Sequence, residues 1–255
     1  IEINIEDQVC IIKLNRPKVF NSFNKEMAFE LQEILDNCEK NPGVRSILLT
    51  AEGKAFCAGQ DLQELTAPDG PKLSDIVREH YNPIIKRIRS IEKPIVCAVN
   101  GVAAGAGANI ALACDITIAG ESVAFIQAFS KIGLIPDSGG TFFLPRSIGM
   151  QKATAQMMLA DKVMAADAEK MGMIYKVCAD ESLMEESLKV AKKLATLPTI
   201  GLGLTKRALN KSMTNDFSAQ LALEDELQTA AGKTYDYNEG VAAFLEKRKP
   251  KFKGE

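Results

Sequence analysis

The 255-residue chain has 46% hydrophobic and 25% charged residues, the composition of a globular protein large enough to bury a substantial core. A formal net charge of −2 gives no global reason to expect nucleic acid or an anionic membrane as a partner. No apolar run approaches the length of a membrane span, and no basic segment precedes an apolar core at the N-terminus, so we expect a cytoplasmic protein.

The cysteines are too widely spaced to form a metal site. No two of them are closer than seventeen positions, and a chain of this size needs no disulfide framework to fold. We therefore expect no bound metal, and reduced, buried thiols at all six positions: Cys10, Cys38, Cys57, Cys97, Cys114 and Cys178.

Short apolar runs alternate with segments of helical periodicity over most of the chain. Strands are predicted over residues 9–14, 44–50, 94–100, 115–119 and 173–178. Helices are predicted over residues 24–40, 73–91, 107–114, 151–160 and 167–171. Strands that alternate with helices favour βαβ-type units, so the pattern predicts an α/β fold.

The pattern changes at Pro198. Residues 201–213, 217–232 and 238–248 have the periodicity of amphipathic helices, with no strand between them. We therefore divide the chain into a core over residues 1–197 and a helical region over residues 198–255. Such a region packs either on a neighbouring subunit or on its own domain, and the sequence leaves both open.

Two glycine-bearing turns follow two of the predicted strands, at residues 53–61 (GKAFCAGQD) and 101–109 (GVAAGAGAN). Small residues let the backbone come close to a ligand, and a turn that opens a helix leaves N–H groups without intrahelical partners. One N–H group from each turn would then hold a developing oxyanion. The alternative is that the second turn only packs a helix tightly on the sheet. Its spacing fits neither a dinucleotide-binding fingerprint nor a Walker loop.

One acid stands in a stretch of apolar and small residues at 133–141 (GLIPDSGGT). Asp137 there follows a proline and precedes a Ser-Gly-Gly turn. An aspartate in this setting commonly caps a helix, here one starting near Ser138, or closes an Asx turn. The other interpretation is an acid–base group whose pKa is raised by an apolar pocket.

Several runs resemble the enoyl-CoA hydratase/isomerase (crotonase) family in the same order and spacing. They are residues 55–62 (AFCAGQDL), 94–125, 131–149 and 240–255, and the likeness covers essentially the whole chain. The resemblance implies a spiral of ββα units with a C-terminal helical trimerisation region, and a homotrimer or a dimer of trimers. It also implies an acyl-CoA thioester as substrate, with coenzyme A entering as part of that substrate and no separate cofactor.

The resemblance assigns roles to residues of both turns and of the acidic stretch. The oxyanion donors would be the N–H groups of Ala58 and Ala106. The two glutamates of the family's hydratases are replaced by Asn109 and Phe129, so ordinary hydration is not expected. Asp137 resembles the aspartate of dienoyl-CoA isomerases and, more closely, that of the isomerases of ring-epoxidised phenylacetyl-CoA. A lone carboxylate suits isomerisation, because it can remove a proton and return it elsewhere.

Other functions stay open: double-bond isomerisation or weak hydration of an enoyl-CoA, or a catalytically idle relative that binds acyl-CoA or RNA. The remaining candidate acyl-CoA residues lie in or beside the two turns: Gly59, Gln60, Asp61, Gly105 and Gly107. By resemblance, Arg16 and Lys18 border the coenzyme A phosphates. Phe244 and Lys247 match residues that reach the adenine end in a neighbouring subunit, although a solvated basic tail explains them equally.

Two other residues are expected to have no catalytic role. His80, the only histidine, lies on a helix predicted to be polar, which indicates a surface position. Cys57 lies in the first turn, but no histidine is near it in the sequence to activate a thiol, so packing is the better interpretation.

Overall fold

The computed structural model describes residues 1–255, in which ten strands form two sheets. The strands are β1 (Glu2–Glu6), β2 (Val9–Leu14), β3 (Ser46–Ala51), β4 (Ala55–Cys57), β5 (Ile95–Val99), β6 (Val102–Ala104), β7 (Ile116–Gly120), β8 (Ala124–Ile126), β9 (Lys162–Met164) and β10 (Lys176–Cys178).

The helices cover the sheets and fill the C-terminal part of the chain. They are α1 (Lys25–Lys40), α2 (Leu62–Leu65), α3 (Leu73–Asp75), α4 (Asn82–Ser90), α5 (Ala106–Ala113), α6 (Gly140–Ile148), α7 (Met150–Leu159), α8 (Ala165–Lys170), α9 (Leu183–Ala195), α10 (Thr199–Ser212), α11 (Phe217–Ala231) and α12 (Tyr235–Leu245). A π-helical turn, Ile76–Tyr81, joins α3 to α4, and a 3₁₀ turn, Ala128–Ile132, follows β8.

The two sheets are built by a spiral. The larger sheet has the order β1-β2-β3-β5-β7-β10 and is parallel except for the β1–β2 pair. The smaller sheet has the order β4-β6-β8-β9, with an antiparallel β8–β9 pair. The pairs β3–β4, β5–β6 and β7–β8 each place one strand in each sheet. This confirms the predicted α/β spiral of ββα units.

Burial in the larger sheet explains why its strands read as continuous apolar runs. All residues of β3 and β5 are buried, as expected for parallel strands covered on both faces. Helix α1 covers one face through Met27, Leu31 and Leu35, which recur at helical spacing. Its start is fixed by Asn24, whose side chain accepts a hydrogen bond from the N–H of Met27.

The predicted strands of the larger sheet are confirmed, with one shortened. Within residues 173–178 only Lys176–Cys178 is extended, because Met173 and Ile174 are buried in the preceding turn. The prediction missed β1, and it missed β4, β6, β8 and β9, which at three residues each are too short to show a period of two. It also missed helix α9, and it placed the start of α6 near Ser138, whereas α6 begins at Gly140. The buried face of α9 contains serine and alanine, Ser187 and Ala191 among them, which gives a weak apolar signal.

The expectation of a surface position for His80 was wrong. Its side chain is 2% exposed and packs edge-on against Phe29. Helix 73–91 was predicted as regular, but the π-helical turn Ile76–Tyr81 widens it and changes which residues face inward. Burial lowers the pKa of His80, so a neutral ring is favoured.

The C-terminal region is tied to the core at two places. Asp115, at the start of β7, accepts from Arg89 of α4 at 3.2 Å and from Lys206 of α10 at 2.8 Å. Arg45, at the start of β3, donates to Thr199 Oγ1 at 2.8 Å and to the carbonyl oxygen of Phe252 at 3.0 Å. Helix α10 therefore packs on its own domain. None of the helices is both long enough and apolar enough to cross a lipid bilayer.

Candidate active site

The two glycine-bearing turns meet in space. Strands β4 and β6 are neighbours in the smaller sheet, so the turn after β4 lies beside the start of α5. At Gly107 an added Cβ would lie 2.4 Å from the carbonyl oxygen of Cys57 and 2.7 Å from its Sγ. Only glycine permits this approach, which brings the N-terminal end of α5 against the first turn.

The structure corrects one of the two predicted oxyanion donors. The N–H of Ala58 already donates to the carbonyl oxygen of Phe20 at 3.0 Å, because residue 20 ends a 3₁₀ turn with its carbonyl directed at the loop. The N–H of Gln60, two residues on, has no acceptor. The N–H of Ala106, the first residue of α5, has none either, as expected at a helix N-terminus. The free pair is therefore Gln60 and Ala106.

Gln60 and Ala106, the residues with free N–H groups, both line an apolar cavity of about 230 Å³. Asp137 is the only carboxyl group in its lining and Lys131 the only cation. Eleven of the sixteen lining residues are hydrophobic, so a charge inside the cavity would be poorly solvated. The lining residues are Ala58, Gly59, Gln60, Leu62, Leu65, Leu73, Ile76, Tyr81, Gly105, Ala106, Ala128, Phe129, Lys131, Ile132, Leu134 and Asp137.

Asp137 does not cap a helix. Helix α6 begins at Gly140, and its N-cap residue, Gly139, has no side chain to donate or accept. The Asp137 carboxylate instead accepts a hydrogen bond from Ser138 Oγ at 2.9 Å. Burial raises the pKa of Asp137 above its ordinary value, and the hydrogen bond from Ser138 offsets part of that rise. The helix-capping interpretation of Asp137 is thereby excluded.

The residues at the two hydratase-glutamate positions have different surroundings. Phe129 is 6% exposed and lines the cavity, where it makes one wall apolar. Asn109, by contrast, is 1% exposed and is absent from the cavity lining. It contacts the turn behind Asp137 because it lies one helical turn into α5, on the side that faces α6.

Sequence reasoning missed Tyr81, the one hydroxyl group in the lining. The phenol donates to Gln60 Oε1 at 3.0 Å, and Gln60 Nε2 donates to Glu64 at 3.0 Å. Burial raises the pKa of Tyr81, and the nearby Cys57 and Asp137 add to the rise, so the phenol stays protonated. Tyr81 is the last residue of the π-helical turn, which no pattern of residue types predicts.

Several predicted site residues lie outside the cavity lining. Asp61 caps α2 by accepting from the N–H of Gln63, and it accepts from Arg16 at 3.0 Å. Arg16 also donates to the carbonyl oxygen of Ser22, so its guanidinium is already engaged. Lys18 is exposed and forms no ion pair. These contacts support a structural role for Asp61 and Arg16.

The C-terminal candidates are exposed and separate from the cavity of their own chain. Phe244 is 83% exposed at the end of α12, and Lys247 follows it in a left-handed conformation with φ of 55°. Their role in a neighbouring subunit stays a prediction. Cys57 is fully buried, and burial raises the pKa of its thiol to about 12, which agrees with a packing role.

Comparison with known proteins agrees with the geometry. The family model for enoyl-CoA hydratase/isomerase matches residues 4–255. Over 254 residues the chain is 48% identical to the 1,2-epoxyphenylacetyl-CoA isomerase of Escherichia coli, with 98% of this chain and 97% of the relative covered. It is 43% identical to a probable enoyl-CoA hydratase of Rhodobacter capsulatus, over 100% of this chain and 98% of the relative.

A solved structure shows the same fold. The enoyl-CoA hydratase of Bacillus anthracis superimposes with a TM-score of 0.93 at 32% identity, covering 100% of this chain and 99% of that one. Likeness in sequence and fold thus extends over the whole chain, including both turns and the Asp137 segment. The chain belongs to the enoyl-CoA hydratase/isomerase family of enzymes.

Proposed function

We propose that the chain is an acyl-CoA isomerase that converts 2-(1,2-epoxy-1,2-dihydrophenyl)acetyl-CoA to its oxepin-CoA isomer in phenylacetate catabolism. The observation that carries the isomerase assignment is the single carboxyl group, Asp137, in a cavity that also holds two free N–H groups. The 48% identity to an isomerase of that substrate supports the acyl group. The one hydroxyl group of the lining, that of Tyr81, in a wall made mostly of hydrophobic residues suits a ring with one oxygen.

The site residues divide the chemistry between them. The thioester oxygen lies at the N–H groups of Gln60 and Ala106, where it gains negative charge as the enolate forms. In the epoxide substrate, the carbon–carbon bond shared by the epoxide and the six-membered ring breaks to give the seven-membered oxepin ring. Asp137 removes a proton from the carbon next to the thioester, holds it, and returns it to a ring carbon, so the product has the same atoms as the substrate. A raised pKa suits both steps, because the carboxyl must accept the proton and then release it. Oxyanion donors of this kind are typically worth about 3–4 kcal/mol each.

A second candidate is migration of a double bond in a linear or cyclic enoyl-CoA. It uses the same proton transfers by Asp137 and the same two N–H groups, and the apolar cavity accepts an acyl chain as readily as a ring. Hydration is the weaker variant of this candidate. It requires a positioned water, and Phe129 presents only carbon at one glutamate position while Asn109 lies outside the lining at the other.

The alternative of an idle, RNA-binding relative has little support. Residues 73–93 carry five lysines and arginines against three acids, but most of these cations are engaged within the chain. Arg78 pairs with Asp75 and Arg87 with Asp36. Arg89 pairs with Asp115, while Lys93 donates to the carbonyl oxygens of Cys38 and Asn41. A segment whose charges are satisfied internally offers little to phosphates.

We also propose that the protein is a homotrimer or a dimer of trimers. Helix α11 buries only Leu227, while Phe217 and Leu221 are 78% and 49% exposed. On α12, Phe244 and Leu245 are 83% and 73% exposed. Large apolar side chains exposed on two consecutive helices favour a protein–protein interface in this region. An open hollow of about 560 Å³ between α10 and α11 lies in the same region.

The assembly proposal predicts a mass in solution of three or six times 27.7 kDa. Static light scattering coupled to size exclusion at micromolar concentration measures it. A change of Phe217 to Ser should shift the mass towards the monomer, whereas the same change at the partly covered Phe142 of α6 should not. A stable wild-type monomer would contradict both the assembly and a coenzyme A site shared between subunits.

The cavity also predicts weak hydration. Turnover of crotonyl-CoA to the 3-hydroxy product should be at least about a thousandfold slower than in a family member with both glutamates, since one acid–base group is worth 10²–10⁴. Loss of absorbance of the conjugated thioester measures the rate. Turnover in the range of that reference enzyme would show that Asn109 and Phe129 do not prevent water activation.

The role of Asp137 predicts the behaviour of Asp137→Asn. The substitution keeps the shape and the oxygen that accepts from Ser138, but removes the ability to take a proton. Exchange of the protons next to the thioester of phenylacetyl-CoA with deuterated water should fall by about 10²–10⁴. Binding of the acyl-CoA should persist, because the N–H groups of Gln60 and Ala106 are unchanged.

A stability measurement and a control variant distinguish a loss of proton transfer from a loss of folding. Because burial raises the pKa of Asp137, the folded state binds the Asp137 proton more tightly than the unfolded chain does. This contribution to the free energy of unfolding is fully present at low pH and is lost as the pH rises through the pKa of the folded state. Asp137→Asn should therefore be at least as stable as wild type at pH 7 in urea unfolding. Asp161→Asn, at an exposed carboxyl, should exchange normally. Wild-type exchange in Asp137→Asn would end the acid–base assignment.

A further inference from the structure

Asn109 is almost fully buried between α5 and the turn that bears Asp137. Its Nδ2 donates to the carbonyl oxygen of Asp137 at 2.9 Å, and its Oδ1 accepts from Gln127 Nε2 at 2.8 Å. The side chain is 1% exposed and does not line the cavity. Asn109 therefore contacts the main chain of Asp137 and does not border the cavity.

The carbonyl oxygen of Asp137 determines which way the Asn109 amide group is oriented. A carbonyl oxygen can only accept, so the Nδ2 of Asn109 must face Asp137, and its Oδ1 must face Gln127. Gln127 is 2% exposed, and its Oε1 has no partner. A buried acceptor left unpaired typically costs about 1–3 kcal/mol. The fold tolerates this cost at Gln127, whose Nε2 donates to Asn109 Oδ1 and so keeps the Asn109 side chain in one orientation.

The turn that Asn109 contacts has an unusual backbone. Ser138 and Gly139 both have positive φ, 50° and 74°, and serine rarely adopts that conformation. The carbonyl oxygen of Asp137 accepts a second bond, from the N–H of Gly140 at 2.9 Å. Two donors on one carbonyl fix the peptide plane after Asp137, and with it the main chain from which the carboxyl group projects.

Gly140, the first residue of α6, packs directly against the side chain of Asn109. An added Cβ there would lie 2.4 Å from Asn109 Nδ2 and 2.7 Å from Asn109 Cγ. The start of α6 thus presses directly on the Asn109 amide, so α5, the Asp137 turn and α6 are held together at this one side chain.

We propose that Asn109 is a positioning residue that orients the Asp137 carboxyl group through the Asp137 main chain, and that it makes no contact with substrate. The proposal rests on the proposed acid–base role of Asp137. The side chain that stands at a hydratase-glutamate position would then support the acid that replaces the glutamates. Misplacement of a reacting group by about 1 Å can cost about a hundredfold in rate.

The test uses Asn109→Asp, which keeps the shape and the acceptor for Gln127 but replaces the donor to Asp137 with an oxygen. In the phenylacetyl-CoA exchange assay, kcat should fall about tenfold to a hundredfold, while KM changes less than about threefold. Hydrogen exchange at the N–H of Gly140 should become faster. Asn109→Ser, which is too short to reach the carbonyl and adds no charge, should show the same split between kcat and KM.

Asn100→Asp is the matched control. Asn100 Nδ2 also donates to a main-chain carbonyl, that of Gly53 at 2.9 Å, but neither residue lines the cavity. The exchange kinetics of Asn100→Asp should equal those of the wild-type protein. A rise in KM at constant kcat in Asn109→Asp, or wild-type kinetics in both Asn109 variants, would overturn the proposal. If neither Asn109 variant folds, Asn109 is a stability residue and the proposal also fails.

The experiments distinguish a failure of the positioning role of Asn109 from a failure of the acid–base role of Asp137. If Asp137→Asn exchanges like wild type, the acid–base role fails, whatever Asn109 does. If Asp137→Asn is inactive but the Asn109 variants are normal, only the positioning role fails.

Discussion

The site depends on the enclosure of one carboxyl group, that of Asp137, in an apolar cavity beside two free N–H groups. Water would solvate a carboxylate fully and leave it a weak base at neutral pH, whereas the lining raises its pKa. The same apolar walls strengthen the hydrogen bonds that Gln60 and Ala106 can give to a developing enolate. One acid and two main-chain donors are then enough for proton transfer between carbons.

The spiral supplies this arrangement. Because β4 and β6 are adjacent in the smaller sheet, two turns far apart in the sequence end side by side, and Gly107 lets them touch. Helix α5 presents the N–H of Ala106 at its start and the amide of Asn109 one turn later. A single short helix thereby serves both the oxyanion site and the support of the acid. The Asp137 turn returns from β8 to the same helix, which closes the cavity.

Sequence reasoning could identify the longer elements and the chemical pattern, but not the local hydrogen bonding. Runs such as 9–14 and 44–50 show their burial directly, and an acid among apolar residues marks Asp137. The choice between Ala58 and Gln60 as donor depended on where the carbonyl of Phe20 points, which no pattern of residue types specifies. The inward positions of His80 and Tyr81 depended on a π-helical turn, whose extra residue per turn has no sequence signature.

The apolar enclosure raises the pKa of Asp137, and this allows its carboxyl group to hold and release a proton. Carbon-13 NMR of protein labelled at the aspartate carboxyl carbons, with the Asp137 signal assigned by its absence in Asp137→Asn, measures that pKa directly. We expect a titration midpoint above the ordinary value of 3.8, and a further rise in Ser138→Ala because the hydrogen bond that favours the charged form is lost. A midpoint at or below 3.8 in the wild-type protein would contradict the account.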